Sequence, residues 1–355
     1  MNILIIAKLT PEKLLSKLRP FIDNPDIRYI YILRDKPFPV ESNKIEFTPT
    51  PRIKGVFRHI EKISIARHQI KTHQIDVIIS YLLPPHGYIA WIVAKITGVK
   101  WIHAIIAGHR EIWVNGKLMT KVHLRMLRSA DYISVMGGQT KDYLVKNGMD
   151  SHKISIIPNA IDAEEFLPPT KREIKYDILY AGRIDANKNL PLLLRALVEV
   201  VIKRPSIKVC IAGDGDKLEE ATAMVNDYRL TGIVDFLGYV DHKNIKTLFH
   251  QSKIFVLTSR GEGIPMALLE AMFCGLACVS TDVGEIGDFI KNEWNGFLLP
   301  NTEDDKALAK NLIELLDNES LYLKISQNAT LIRKQYSFDN VYTLWGSVLK
   351  TVQAT

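Results

Sequence analysis

Cysteine is scarce in this sequence. The 355 residues include three, Cys210, Cys274 and Cys278. Cys210 and Cys278 lie in apolar runs typical of buried strands, where cysteine acts as a small hydrophobic residue. Cys274 and Cys278 have no second Cys or His pair beside them, which argues against a zinc site. This usage excludes a disulfide scaffold and fits a reducing cytosol.

Long uninterrupted apolar runs are also missing. A membrane-spanning helix needs about 18 or more such residues, and the nearest approach, 87–106, is interrupted by Lys95 and Lys100. The N-terminal segment 1–13 has too short an apolar stretch for a signal peptide. We therefore expect a cytoplasmic protein, either soluble or peripheral on the inner face of the membrane.

Acidic residues are under-represented in the first half of the chain. Residues 1–165 carry 24 Lys and Arg against 15 Asp and Glu, the rest carries 22 against 24, and the formal net charge is +7. A basic half fits a nucleic acid, an anionic membrane or a phosphorylated substrate, or else ordinary surface lysine. No helix-turn-helix, zinc-finger or aromatic RNA-binding signature is present, so we expect no nucleic-acid partner.

Short apolar runs, in contrast, are frequent and alternate with helix-length segments. This alternation predicts an α/β fold with parallel sheets. It is interrupted by 158–170, which is rich in turn formers and predicts a domain linker. The predicted strands are 3–7, 29–33, 77–80, 101–106, 132–135 and 154–157 before the linker, and 177–181, 208–212, 234–237, 254–258, 277–281 and 296–299 after it.

The two halves have similar lengths and patterns, which predicts two doubly wound, Rossmann-like domains. We expect an N-terminal acceptor domain over 1–165, a C-terminal donor domain over 166–335, and a helix over 336–355 that packs back toward the N-terminal domain. Ligands of such sheets bind at the carboxyl ends of the strands. The two domains are therefore expected to face each other across a cleft.

Two charged motifs in the second half follow predicted strands. Gly182 and Arg183 come directly after strand 177–181, and Lys188 precedes a predicted helix. Backbone N–H groups, an Arg fork and a Lys ammonium near a helix N-terminus suit a diphosphate. Farther on, Glu270 lies in the apolar run 268–272, where a carboxylate is costly unless it has a partner such as sugar hydroxyls.

Several motifs then occur in a fixed order over residues 150–300. They are 158–162, 182–183 with Lys188, 213–215, 236–240, 262–265 with Glu270, and 295–300. Together they resemble glycosyltransferase family 4, whose members have the GT-B fold. The resemblance implies a retaining, nucleotide-sugar-dependent transferase with a hydroxyl acceptor on a glycan or lipid, active in polysaccharide or glycolipid assembly.

The resemblance also implies roles for individual residues. Arg183 and Lys188 would bind the donor diphosphate and stabilise its departure, so that no metal or other cofactor is needed. Glu262 would hold the transferred sugar, and Glu270 would bind the ribose hydroxyls. The other implied donor-binding residues are Gly182, Gly213, Asp214, Gly238, Val240, Gly263, Ile264 and Pro265.

Members of this family usually present a histidine of the first domain to the donor sugar. His109 follows predicted strand 101–106, and His103 lies inside it. We favour His109 as the catalytic histidine because loops at strand ends carry function more often. His103 stays open as the second candidate.

Three features of the sequence each admit more than one interpretation. Asp214 and Asp216 form an Asp-x-Asp pattern that holds a metal in other glycosyltransferases, although helix capping explains it better here. The basic segment 54–71 is either a helix packed on the first sheet or an amphipathic helix on an anionic membrane. The motifs and the basic half also leave open a GT-B sugar-nucleotide epimerase or phosphorylase, or a basic nucleic-acid-binding protein.

Overall fold

The structure is a computed structural model that describes residues 1–50, 57–113 and 116–354. The chain divides into two compact units. The first unit is Met1–Ala160 with Phe338–Thr355, and the second unit is Ile161–Ser337. The sequence placed the corresponding boundaries at 165 and 335.

Strands and helices alternate along both units, as the apolar pattern predicts. The strands are β1 (Asn2–Ile6), β2 (Tyr29–Arg34), β3 (Ile45–Pro49), β4 (Val77–Tyr81), β5 (Lys100–Ile105), β6 (Tyr132–Val135), β7 (Ile154–Ile156), β8 (Tyr176–Ala181), β9 (Val209–Ala212), β10 (Val234–Gly238), β11 (Ser252–Leu257), β12 (Ala277–Thr281) and β13 (Phe297–Leu299). The helices are α1 (Pro11–Ile22), α2 (Phe57–His73), α3 (Tyr88–Thr97), α4 (Gly116–Leu127), α5 (Gly138–Lys146), α6 (Leu190–Lys203), α7 (Leu218–Asp227), α8 (His242–His250), α9 (Met266–Phe273), α10 (Ile286–Phe289), α11 (Asp305–Asp317), α12 (Glu319–Ala329), α13 (Arg333–Tyr336) and α14 (Phe338–Ala354).

The sheet of the first unit is parallel. In the described residues its strand order is β3-β2-β1-β4-β5-β6-β7. The order reverses between β1 and β4, so the loops that follow these two strands leave on opposite faces of the sheet and open a crevice at its carboxyl edge. We call this crevice the first switch point.

Alternating burial explains why helices cover both faces of this sheet. Leu4 and Ile6 of β1 belong to one hydrophobic core, and Ile3 and Ile5 belong to another on the opposite face. All four side chains are fully buried. A parallel sheet needs this double cover because its strands are apolar on both sides.

The sheet of the second unit repeats the arrangement. Over the described residues its parallel strands run in the order β10-β9-β8-β11-β12-β13. The order reverses between β8 and β11, which gives a second switch point at the carboxyl edge of this sheet. The prediction of two doubly wound, Rossmann-like domains is confirmed.

The C-terminal helix α14 belongs to the first unit although it follows the second in the chain. Trp345 is 4% exposed, and its ring meets the Phe21 ring of α1 edge-on at a centroid distance of 4.8 Å. The chain enters and leaves the second unit through adjacent segments, because the Ile161 N–H donates to the Tyr336 carbonyl at 2.8 Å.

Helix α2 covers residues 57–71 of the basic segment 54–71. Residues 54–56 lie outside the described residues. It buries Lys62, Ala66 and Ile70, as a helix packed on the sheet does. Phe57 and Ile60, in contrast, are 73% and 58% exposed. Among the described residues, no helix combines the length and the apolarity that crossing a membrane requires.

Candidate functional site

Two loops of the second unit meet at its switch point. One joins β8 to α6 and the other joins β11 to α9. The Arg260 backbone N–H donates to the Asn187 backbone carbonyl at 2.7 Å, and the Asn187 side-chain amide donates to the Gly261 carbonyl at 2.9 Å. The Thr258 hydroxyl donates to the Lys188 carbonyl at 2.9 Å. These bonds hold the two loops as one rigid surface.

Lys188 and Glu262 form an ion pair on this surface. The Lys188 Nζ lies 2.6 Å from Glu262 Oε1, and the two side chains are 17% and 11% exposed. The Lys188 N–H also donates to Asp185 Oδ1 at 2.9 Å, which fixes the backbone below the ammonium. The sequence predicted both residues as catalytic but not that they pair with each other.

Arg183 lies on the same loop and reaches into solvent. Its side chain is 76% exposed, and its Nη2 lies 2.9 Å from Asp185 Oδ2. The buried Tyr180 hydroxyl donates to the Arg183 carbonyl at 2.8 Å and holds the backbone in place. A fixed backbone with an exposed guanidinium is suited to closing on an anion that arrives from solution.

The glycines of the predicted donor site lie together where β8, β9 and β10 end. The Gly213 N–H donates to the Gly238 carbonyl at 2.7 Å. A Cβ at Gly213 would lie only 1.8 Å from the Gly182 carbonyl oxygen, so glycine is required there. This close approach brings three predicted residues, two that follow strands and one that ends β10, into one patch of half-buried backbone.

A second close approach joins the loop after β12 to the residues before α9. Gly284 has a φ of +59°, and a Cβ there would lie 2.0 Å from the Glu262 carbonyl oxygen. The Glu285 N–H donates to the Gly263 carbonyl at 3.3 Å. The backbone of Glu262 and Gly263 is therefore held by the loop after β12, while the Glu262 side chain pairs with Lys188.

Glu270 is the buried carboxylate of the site. It lies in α9, is 4% exposed, and pairs with His242 Nε2 through its Oε1 at 3.0 Å. This hydrogen bond raises the pKa of His242 above its usual range. Sequence reasoning required a partner for Glu270 but did not find His242, which lies 28 residues away at the start of α8.

The loop before α9 places the other predicted sugar-binding residues. Ile264 is 8% exposed, and Pro265 occupies the N-cap of α9 rather than its first turn. The first N–H groups of a helix have no partner within the helix and point out of its N-terminus. Val240 is half-buried in the loop between β10 and α8.

Asp214 and Asp216 have a different role from the one expected. Helix α7 begins at Leu218 with Lys217 at its N-cap and no side-chain cap, so the expectation that the two aspartates cap a helix is wrong. Asp214 Oδ1 instead accepts the N–H of Gly215 at 2.7 Å. In the described part of the chain, no group of three or more His, Cys, Asp and Glu side chains is arranged to hold a metal ion.

The two candidate histidines differ in burial. His103 is fully buried in β5, with its Nδ1 2.8 Å from the Ser80 hydroxyl and its Nε2 3.5 Å from Glu111 Oε1. His109 is half-buried beyond the end of β5, with the Trp113 ring 4.5 Å from its own. Burial, followed by the charge of Arg110, lowers the pKa of His109. The preference for His109 stays a prediction.

Comparison with known proteins identifies the family. The sequence model of the family 'glycosyl transferases group 1' matches residues 162–331, and the sequence model of glycosyltransferase family 4 matches residues 28–165. The chain belongs to glycosyltransferase family 4. The two matches together span both units, and the resemblance drawn from the motifs is confirmed.

Two curated relatives share detectable sequence with this family 4 chain. The GalNAc-α-(1→4)-GalNAc-α-(1→3)-diNAcBac-PP-undecaprenol α-1,4-N-acetyl-D-galactosaminyltransferase of Campylobacter jejuni is 28% identical over 296 residues, which is 82% of this chain and 79% of that protein. The GPI3 subunit of the phosphatidylinositol N-acetylglucosaminyltransferase of Saccharomyces cerevisiae is 31% identical over 210 residues. That match covers 57% of this chain but less than half, 45%, of the yeast protein.

A solved structure supports the fold. HepE of Anabaena, crystallised in complex with UDP, matches with a TM-score of 0.79 over 99% of this chain and 100% of that one, at 14% sequence identity. The predicted GT-B fold class is confirmed. The relatives are glycosyltransferases, so the comparisons do not favour an epimerase, a phosphorylase or a nucleic-acid-binding protein.

Proposed function

We propose that this chain is a retaining glycosyltransferase that moves a sugar from a nucleoside diphosphate sugar to a hydroxyl of a glycan or lipid acceptor. The observation that carries the proposal is the pairing of Lys188 with Glu262 beside Arg183, at the switch point of the second sheet. The relatives named above support it, since their names describe transfer of N-acetylhexosamine to glycolipids.

The reaction needs positive charge where the diphosphate leaves. Negative charge grows on the leaving phosphate oxygens as the bond to the anomeric carbon breaks, and cations already in place stabilise that state. The Lys188 backbone is fixed by its hydrogen bond to Asp185, and its ammonium lies against Glu262, so the ammonium would reach the leaving phosphate by a movement of the side chain alone. The exposed Arg183 would close over the same group, and two cations would do the work of a divalent metal.

Glu262 and Glu270 are proposed to bind hydroxyl groups. When a diphosphate draws the Lys188 ammonium toward itself, the carboxylate of Glu262 becomes available to a sugar hydroxyl within the same loop. Glu270 would exchange its hydrogen bond with His242 for one with the ribose. The half-buried backbone of Gly213 and Gly238 would lie along the nucleotide, since side chains are absent there.

Retention is proposed without a covalent intermediate, since Glu262 is assigned to sugar binding and not to attack on the anomeric carbon. Slow hydrolysis of the donor, with water as acceptor, tests this. Rapid proton NMR should show the released sugar in the anomeric configuration of the donor before mutarotation. Release of the opposite anomer would refute retention.

The donor is tested directly by thermal shift. A panel of uridine, guanosine and adenosine diphosphate sugars is scanned in the presence of EDTA, because a ligand that binds the folded state raises the melting temperature by mass action. Uridine derivatives come first, because HepE was crystallised with UDP. Stabilisation by one class without metal, lost in Lys188→Ala, supports the proposal, and equal stabilisation of Lys188→Ala contradicts it.

Peripheral membrane contact is proposed for the start of α2. Phe57 and Ile60 are exposed there, beside the basic residues of the helix. Exposed apolar side chains next to cations favour an anionic bilayer surface. Sedimentation with liposomes should show binding that grows with anionic lipid content and weakens in Phe57→Ser, and binding that ignores lipid charge would remove this proposal.

A further inference from the structure

A second charged site lies in the first unit, where β1 and β2 end beside helix α2. Lys8 follows β1, Arg34 to Lys36 end and follow β2, and Arg58 and Lys62 lie on the first turns of α2. A cavity of about 220 Å³ opens between these three elements. Its lining consists of Ala7, Lys8, Arg34, Asp35, Lys36 and Lys62.

Positive charge dominates this cavity. Among its described lining residues, Asp35 is the one carboxylate, and it pairs both with Arg58 and, at 3.0 Å, with Lys62. The Arg34 guanidinium donates to the carbonyls of Leu9 and Lys36 at 2.7 and 2.8 Å. These hydrogen bonds order the surrounding loops but do not neutralise the positive charge of Arg34. One carboxylate therefore faces several cations.

Polar atoms in the same place lack partners. Within the described part of the chain, His86 Nδ1, His59 Nδ1 and Arg58 Nε are buried without a hydrogen-bond partner. The His86 residue is only 4% exposed, and Lys62 is 6% exposed. Buried polar atoms without partners and clustered like charges both cost free energy. A bound anion would offset the clustered charge and would accept a hydrogen bond from Arg58 Nε and from any imidazole nitrogen that carries a proton.

Burial and the surrounding charges act on His86 and Lys62 in the same direction. Burial, followed by the charges of Lys62, Lys8, His59 and Arg58, lowers the pKa of His86 to about 4. Burial, followed by the charges of Arg58 and Lys8, lowers the pKa of Lys62 to about 8. Lys8 and Lys62 line the same cavity, and Asp35 pairs with both Lys62 and Arg58, so these three cations lie around one small space.

We propose that the first unit binds a phosphate or diphosphate group in this cavity, through Lys8 and Lys62, which line it, and Arg58, which pairs with the lining residue Asp35, with His59 and His86 as additional partners. Several cations around one cavity match the multiple charged oxygens of such a group better than a single carboxylate ligand. The assignment of this phosphate or diphosphate group to the acceptor rests on the proposed function. The acceptor would carry the group next to the hydroxyl that is glycosylated.

The first test measures binding of inorganic pyrophosphate to the full chain by calorimetry. Saturating UDP is present so that the donor site of the second unit is filled, and the same titration is repeated in Lys188→Ala. Lys8→Ala and Arg58→Ala should each weaken pyrophosphate binding by about tenfold or more, because each removes a charge-assisted hydrogen bond. Arg67→Ala, an exposed arginine of the same helix outside the cluster, is the matched control and should bind as the unaltered chain does.

The second test follows the His86 imidazole by NMR and does not depend on activity. Bound pyrophosphate places negative charge beside the ring, so the pKa of His86 should rise when pyrophosphate is added and should rise less in Lys8→Ala. Unchanged pyrophosphate affinity in Lys8→Ala and Arg58→Ala, together with a His86 pKa that pyrophosphate does not move, would overturn the site.

The source of the phosphate is distinguished with vesicles. Phosphatidylcholine vesicles with and without a long-chain polyprenyl diphosphate are compared in a flotation assay. Flotation that requires the diphosphate lipid and Lys8 assigns the site to a lipid-linked acceptor, whereas pyrophosphate binding without such flotation assigns it to a soluble phosphorylated acceptor. Failure of every nucleoside diphosphate sugar of the thermal-shift panel to bind would instead refute the proposed function, since the pyrophosphate titrations concern the first unit alone.

Discussion

Removing the ammonium of Lys188 is the sharpest test of the proposed catalytic site. Lys188→Met keeps most of the apolar stem and deletes the charge. At about 4 Å from a phosphate oxygen, one unit charge contributes about 4 kcal/mol when the effective dielectric constant is about 20. Losses of about 10²–10³-fold in turnover are typical when one such donor is removed.

The structure adds a second effect to this loss. Glu262 is 11% exposed and pairs with Lys188 at 2.6 Å, so the substitution leaves its carboxylate without that cation and next to the incoming diphosphate. Repulsion between the two anions would weaken donor binding and the transition state further. We therefore expect a total fall in turnover of about 10²–10⁴-fold, of which Lys188→Arg should recover a part.

The assay follows release of nucleoside diphosphate from the donor identified by thermal shift, with water as acceptor. Lys217→Met is the matched control because Lys217 also pairs with a glutamate, Glu220, at 2.7 Å, but with side chains that are 45% and 54% exposed. That variant should keep the unaltered rate. Near-full turnover in a folded Lys188→Met protein would refute the assignment of Lys188 to the leaving group.

Three further predictions concern the architecture around the site. Gly284→Ala should abolish donor binding and lower the melting temperature, because the added Cβ would lie 2.0 Å from the Glu262 carbonyl oxygen; unaltered UDP affinity would contradict this. The raised pKa of His242 means that its pair with Glu270 stabilises the fold below the usual histidine pKa of 6.5 and loses this effect as pH rises through the raised value. The difference in melting temperature between the unaltered chain and His242→Gln should accordingly be largest at acidic pH, and a difference that grows with pH would be the wrong sign. Trp345→Ala should lower the free energy of unfolding by about 3–5 kcal/mol in a denaturant titration, because it removes a buried aromatic side chain, whereas a loss below about 1 kcal/mol would mean that α14 contributes little.

Much of the fold could be predicted because parallel strands covered on both faces are apolar throughout. The predicted strands correspond to β1, β2 and β4 to β13, with ends that differ by one or two residues. The strand that the pattern missed is β3, Ile45–Pro49, whose residues are exposed or half-buried and which lies at the edge of the sheet. An edge strand carries little of the apolar signal that marks a buried one.

The candidate site was predictable as a set of residues but not as a set of contacts. The resemblance implied that Gly182, Gly213 and Gly238 belong to the donor site, and the structure brings them together. The pairing of Lys188 with Glu262 joins residues 74 positions apart, and the hydrogen bond from the Lys188 N–H to Asp185 depends on how the loop turns. Only the tertiary arrangement of neighbouring loops determines such contacts.

In the sequence, the basic cluster of the first unit was visible as an excess of lysine and arginine and, in part, as the basic segment 54–71. Charge counting did not single out Lys8, Arg58 or Lys62 from the other basic residues of the first half. Their convergence follows from the fold, which sets the residues after β1 and β2 beside helix α2. An excess of basic residues along the chain forms a binding site only when the fold brings those residues together.

The position of α14 has a consequence for biosynthesis. The second unit is one continuous segment, Ile161–Ser337, whereas the first unit needs Phe338–Thr355 to cover its core. Domains generally fold as they emerge from the ribosome. Here the core of the first unit is complete only after the second unit and α14 have been synthesised. Until α14 docks, nascent chains would expose the apolar surface around Phe21, a target for chaperones during every round of translation.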